Sequence, residues 1–172
     1  MSYRLAAALV LLSSPVLAAE LTGGLRLGLG AGTASDFGED FLLSAGVRGQ
    51  LGAVFTDGHT FFGVARLQPL TDVGLDDKVL SYSVGVGYER RFELNDGWRP
   101  TLGVTVGAGG AGLCNSEFCD MFGPAAGLDL GLHRMLGERT HLSFSAELLT
   151  IVGSGDLEGT LLLPSLWAGV GF

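Results

Sequence analysis

His141 and Ser143 are the residues best placed to do chemistry, because they stand two positions apart in a stretch that alternates apolar and polar residues. Side chains two apart in a strand share a face, so the histidine could act as general base towards the serine hydroxyl. Glu147 supplies an acid nearby. The three residues form a candidate catalytic group. Whether they can act together depends on the elements that position them.

A second group of chemically notable residues is charged and falls on the polar faces of alternating segments, at similar depth. Charges that are removed from water must be paired to be stable. We therefore predict a lumenal charge network, assisted by two glutamines, that fills the interior of a closed sheet. The network comprises Arg26, Arg48, Arg66, Asp129 and Glu147, with Gln50 and Gln68 beside it.

Cys114 and Cys119 are the only two cysteines of the chain. In an exported protein such a pair predicts a disulfide within one loop. No histidine lies near them, so a metal site is not expected there. The sequence contains no nucleotide, haem or zinc motif, and we expect no cofactor.

The first residues of the chain have the pattern of a secretory signal. Ser2-Tyr3-Arg4 is a short positive region, an apolar run follows, and Val16-Leu17-Ala18 resembles a cleavage site for signal peptidase. The apolar run is too short to cross a bilayer as a helix. We predict a signal peptide over 1–18 and a single domain over 19–172.

The mature chain alternates with the period of a strand and shows no helical period of useful length. Many of its 29 glycines occupy alternate positions within apolar runs. Each segment is long enough to cross a bilayer as a tilted strand. The predicted segments are 20–31, 41–55, 60–70, 79–92, 98–109, 123–136, 141–152 and a last one that ends at Phe172.

The connections between the segments alternate in length. Short turns are predicted at 56–59, 93–97 and 137–140, and longer loops near 32–40, 71–78, 110–122 and 153–159. This alternation is typical of an all-β, eight-stranded, antiparallel up-and-down transmembrane barrel with both termini on the short-turn side. A soluble barrel or sandwich is the competing fold, but the second face carries mainly Gly, Ser and Thr with few charges, which suits a narrow lumen better than a wet surface.

The whole of 19–172 resembles the small outer-membrane β-barrels of the OmpA/OmpX type. In that group a terminal aromatic residue with apolar residues at alternate positions before it is read by the barrel-assembly machinery. Leu166, Ala168, Val170 and Phe172 match this pattern. The resemblance implies residence in the outer membrane of a Gram-negative envelope, contact with lipid and lipopolysaccharide, and a monomer. Pro164 interrupts the last segment, and we expect a bulge there.

His141-Leu142-Ser143 also resembles the outer-membrane lipid A deacylase barrels. The match is incomplete, since Phe144 stands where that family has asparagine, and Glu147 is closer than the family's acid. The topology places His141 at the periplasmic end, whereas lipid A lies in the outer leaflet. We therefore favour an interfacial histidine and a protein that is not an enzyme, with a lipid A-modifying enzyme as an alternative.

The charge distribution bears on function. The formal net charge of −8 argues against nucleic acid as a partner. Acidic residues gather in or beside the longer loops, where they either keep the loops soluble or bind divalent cations. We expect a structural or surface-interaction role with a plugged lumen, and a narrow gated pore is the other alternative. The acidic residues are Asp36, Glu39, Asp40, Asp72, Asp76, Asp77, Glu117, Asp120, Asp156 and Glu158.

Overall fold

Period-two alternation produces eight antiparallel strands, each paired with its neighbours in sequence, and β1 pairs with β8 to close the barrel. The structure is a computed structural model that describes residues 19–34, 42–55, 58–72, 78–94, 97–113, 121–155 and 159–172. These residues contain no helix long and apolar enough to cross a membrane. The strands are β1 (Glu20–Ala34), β2 (Leu42–Val54), β3 (His59–Asp72), β4 (Lys78–Arg91), β5 (Trp98–Leu113), β6 (Met121–Met135), β7 (His141–Gly155) and β8 (Gly159–Gly171).

The fold class predicted from the sequence is confirmed, but the predicted bulge at Pro164 is wrong. Pro164 pairs with Leu148 of β7, and the register between β8 and β1 is the same before and after it. Because proline has no N–H, the ladder to β1 skips the pairs beside Pro164 without inserting a residue. Its ring points outward, where it disturbs no interior contact.

The strands also run further than predicted towards the loop end. β5 extends to Leu113, whereas the sequence predicted an end near 109, and β7 extends to Gly155. The stretches between strands at the loop end are therefore 35–41, 73–77, 114–120 and 156–158. These stretches are closer in length to the short turns than the sequence predicted. Gly58 and Gly97 lie in two of those short turns with φ of 79° and 75°, a backbone conformation that favours glycine.

The barrel is apolar outside and polar inside, the reverse of a soluble protein. Outward side chains include Leu27, Leu29 and Leu166, which are 65–70 % exposed. Inward positions are filled by serine, threonine, glutamine and paired charges, together with a smaller apolar group. The alternation within each strand thus separates a large hydrophobic surface from a polar interior.

That apolar group occupies the loop end of the interior and forms what we call the loop-side apolar layer. Its members are buried residues that contact one another. They lie near the loop ends of their strands, so this layer closes the interior between the polar half and the loops. The layer consists of Leu70, Ala111, Met121, Ala125, Leu149, Ile151, Leu161 and Leu163.

Candidate functional site

The register of the strands assembles the five residues of the lumenal charge network. Arg48 is the direct partner of Arg26 on one side and of Arg66 on the other. Asp129 and Glu147 are direct partners on β6 and β7. Three arginines on β1, β2 and β3 therefore face two carboxylates on the opposite wall, and all five residues are at most 5 % exposed.

Arg66 and Glu147 form the best-coordinated pair of the network. Arg66 Nε donates to Glu147 Oε2 at 3.1 Å, and its Nη2 donates to Oε1. The same Nη2 also donates to the Thr105 hydroxyl at 3.1 Å. A bidentate arginine–carboxylate pair is among the stronger charge-assisted contacts, so this pair fixes the distance between β3 and β7 across the lumen.

Arg48 connects the two carboxylates. Its Nη1 donates to Asp129 Oδ2 and lies 3.5 Å from Glu147 Oε2. Its Nε and Nη2 have no hydrogen-bond partner among the residues that the structure describes. One guanidinium nitrogen therefore serves both acids, and the others contribute only charge.

Glu89 adjoins the network and was missed by the sequence analysis. Its Oε2 lies 3.9 Å from Arg26 Nη2, and its Oε1 accepts from Arg91 Nε at 2.9 Å. Arg26 also donates to Ser145 at 3.0 Å, and its Nη2 lies 3.2 Å from His133 Nε2. The inward parity of Glu89 was visible in the alternation, but its reach across the lumen to β1 appears only once the barrel is closed.

The assistance of the network by the two glutamines stays a prediction. Gln68 donates to the Ser165 hydroxyl at 3.0 Å and so bonds outside the five charged residues. Gln50 is buried, and its Oε1 has no partner among the described residues. Among the described contacts, serine and threonine hydroxyls and the His133 ring supply the neutral hydrogen bonds to the network.

His141 and Ser143 both point into the barrel, at the end formed by the short turns. His141 is 3 % exposed and stacks on His133, with ring centroids 4.6 Å apart. The prediction of an interfacial histidine is therefore wrong, because the first residue of β7 already has inward parity. Ser143 is 1 % exposed and is the register partner of His133.

Trp167 packs inside the barrel against a glycine of β1. A methyl group at Gly28 would collide with the Trp167 ring. Trp167 is 2 % exposed, as expected from the alternation before Phe172. The outward residues of the same strand end, Leu166, Val170 and Phe172, are more than half exposed, and Ala168 also points outward.

Aromatic side chains gather on the outer surface near the short turns. Phe61 lies 5.8 Å from Phe55 and 5.2 Å from Tyr88. Arg134 stands over the Trp98 ring, its Cζ 5.1 Å from the centroid. Such rings are typical of the boundary between lipid and water in membrane barrels.

Several predicted features lie outside the described residues. These are the signal peptide over 1–18, the Cys114–Cys119 disulfide and most of the acidic loop residues. Among the residues that the structure describes, no group of three or more His, Cys, Asp or Glu could hold a metal ion.

Comparison with solved structures identifies the fold. Neisserial surface protein A (NspA) is 15 % identical with a TM-score of 0.70, and the match covers 89 % of this chain and 97 % of that one. Ail of Yersinia pestis, in complex with the heparin analogue sucrose octasulfate, is 16 % identical over 89 % of this chain and 99 % of its own, with a TM-score of 0.56. The outer membrane enzyme PagL is 13 % identical over 84 % and 97 %, with a TM-score of 0.52.

No protein-family model matches the chain, and no curated protein matches it. The three structures share the fold of a small outer-membrane β-barrel. One of them is an enzyme, so the fold alone does not decide whether the chain is catalytic.

Proposed function

We propose that this chain is an integral outer-membrane β-barrel with a closed lumen and a structural or surface-interaction role. The main support for the proposal is that the barrel is apolar outside and polar inside. Its outward leucines, valines and phenylalanines would promote aggregation in water. Lipid is the solvent that suits such a surface, and a closed barrel leaves no unpaired edge in it. The paired charges inside suit a lumen that is filled by side chains.

Membrane fractionation combined with gel mobility tests this proposal. A folded barrel resists the detergent of the gel, so we expect an unheated sample to migrate differently from a boiled one and to be recovered with outer membranes. An unshifted band in the soluble fraction would contradict the proposal. Truncation of Phe172 tests the related proposal that the last strand is read by the barrel-assembly machinery, and should lower the folded fraction.

The loops are the proposed contact surface with lipopolysaccharide or another surface partner. Their acidic residues would repel sulfated sugars such as the ligand seen with Ail, so a cation bridge to lipid phosphates is the better-supported mode. Calorimetric titration with calcium measures it. Heat beyond that of bulk screening is expected for a bridge, and its absence would leave the loops as solvated charge.

A narrow gated pore is the second candidate, since a charge network can open when one partner leaves. The loop-side apolar layer argues against it, because that layer lies in series with the network. We expect planar bilayers with wild-type protein and with Arg48→Ala to show no conductance steps. Steps in the Arg48→Ala protein alone would favour the gate.

An enzyme that modifies lipid A is the third candidate, and the position of the serine disfavours it. Ser143 lies inside the barrel, near the short turns, so an acyl ester in the opposite leaflet would be out of its reach. We propose that the chain is not an enzyme. Mass spectra of lipid A on overexpression should be unchanged, and loss of an acyl chain that Ser143→Ala abolishes would overturn the proposal.

A further inference from the structure

The charges on the outward faces of the strands are few and of one sign. Among strand residues whose side chains the structure describes, Arg90 and Arg134 are the charged residues with outward parity. The carboxylates have inward parity: Glu89, Asp129 and Glu147 are buried, and Glu20 lines the cavity at the short-turn mouth. That outward surface is therefore neutral except for these two cations.

Both cations lie at the same end of the barrel. Arg90 is the last residue but one of β4, and Arg134 holds the same place in β6. Both strands end at short turns, so both cations belong to the leaflet on that side. Leu130 and Leu102 continue the surface towards the middle of the band and are 57 % and 43 % exposed. A cation thus lies at the edge of an acyl-chain surface.

Trp98 holds Arg134 in place. The two residues are direct register partners, and the guanidinium carbon lies 5.1 Å from the centroid of the ring. A guanidinium held over an aromatic ring by the cation–π attraction still has N–H groups to donate, and their planar fork matches phosphate oxygens. None of the ion pairs among the described residues includes Arg134. Arg134 is therefore held beside Trp98 and is not neutralised by any described carboxylate.

We propose that Arg134, which lies over the Trp98 ring, binds the phosphate of an anionic phospholipid in the leaflet at the short-turn end. The inference rests on the proposed membrane-spanning function and adds a headgroup preference to it. Phosphatidylglycerol has the required chemistry, a phosphodiester with a net negative charge above two acyl chains. One arginine near an anionic lipid surface should raise local occupancy about five-fold over a zwitterionic lipid.

The two tryptophans of the chain allow a local measurement, because Trp167 lies inside the barrel. In a Trp167→Phe background, emission comes from Trp98 alone. The protein is refolded into phosphatidylcholine vesicles that contain phosphatidylglycerol, and one of the two lipids is brominated near the headgroup. The ratio of quenching by the two brominated lipids gives their relative occupancy beside Trp98.

We expect a preference of about five-fold for phosphatidylglycerol in this background. Arg134→Gln should abolish the preference, whereas Arg139→Gln, the same charge change in the exposed turn after β6, should keep it. Equal quenching by both lipids, a preference that survives Arg134→Gln, or one lost equally in Arg139→Gln would overturn the proposal.

The heat-dependent gel shift of each vesicle sample separates the two possible failures. A shifted, vesicle-bound barrel without lipid preference would refute the phosphate site and leave the proposed function intact. Protein that neither shifts nor joins the vesicles would refute the proposed function itself.

Discussion

Glu147 pairs with two arginines across the middle of the barrel. It accepts two hydrogen bonds from Arg66 and lies 3.5 Å from Arg48. Removing one member of a buried ion pair leaves the other members charged and dry, which costs more than the pair itself contributes. The carboxylate therefore matters because its removal would leave Arg66 without a carboxylate partner and Arg48 with Asp129 alone.

Glu147→Leu should lower the free energy of unfolding by about 3–5 kcal/mol, because Arg66 loses both of its carboxylate acceptors and keeps only neutral hydroxyl partners. Urea titration of the barrel in micelles, followed by tryptophan emission, measures the change. Glu138→Leu removes a carboxylate from an exposed turn residue and should cost far less. Adding Arg66→Met to Glu147→Leu should recover part of the loss, and equal losses for Glu147→Leu and Glu138→Leu would contradict the network.

Gly28→Ala should destabilise the barrel by about 1–3 kcal/mol, because the added methyl group collides with the Trp167 ring in a filled interior. Gly49 provides a matched control on the next strand, since a methyl group there would meet no heavy atom within 4 Å. Gly49→Ala should be neutral or stabilising in the same urea titration. A comparable loss in both variants would mean that strand glycines matter for the backbone and not for the space beside Trp167.

At the scale of the strand, alternation fixes which face each residue occupies but not how deep it lies. The lumenal charge network was predictable because all five residues share inward parity and recur on neighbouring strands. Glu89 had the same parity and was missed, because its contact with Arg26 depends on the stagger of β4 against β1 in the closed barrel. His141 was misplaced for a related reason, since a position at a strand end says little about whether the side chain enters the lumen.

The loop-side apolar layer left a weaker signal in the sequence. In β7 and β8 the alternation gives way to runs with apolar residues at adjacent positions, Leu148 to Val152, in which only Thr150 is polar, and Leu161 to Leu163. Such runs are apolar on both faces, which indicates an interior layer as well as a lipid-facing one. The alternation is lost in two neighbouring strands at the same depth. That shared loss predicts where the interior changes from polar to apolar.

A charge on the outward face should cost most in the middle of a strand. Val84 lies midway along β4 and is 62 % exposed on the lipid-facing side. Val84→Arg should lower the free energy of unfolding in vesicles by about 2–4 kcal/mol. Leu94→Arg, at the short-turn boundary, should cost about 0–1 kcal/mol, because headgroups and water reach it. Equal costs at both positions would contradict a hydrocarbon environment around the middle of β4.

At the scale of the molecule, the interior combines two different closures in series. The lumenal charge network blocks the middle of the lumen with paired charges, and the loop-side apolar layer blocks the part near the loops with packed side chains. An ion crossing the first would exchange hydration for fixed charges, and one crossing the second would lose hydration outright. Opening either closure alone leaves the other intact.

This arrangement predicts that conductance needs changes in both closures. Arg48→Ala should leave planar bilayers silent, and so should a variant with Leu70, Ile151 and Leu161 all changed to Ala, because each retains one closure. The variant that combines all four substitutions should show small steps, provided that its gel shift confirms a folded barrel. Steps in either partial variant would assign the block to one closure alone. Silence in a folded combined variant would mean that the remaining side chains, with Trp167 and Arg26 among the largest, are sufficient to fill the lumen.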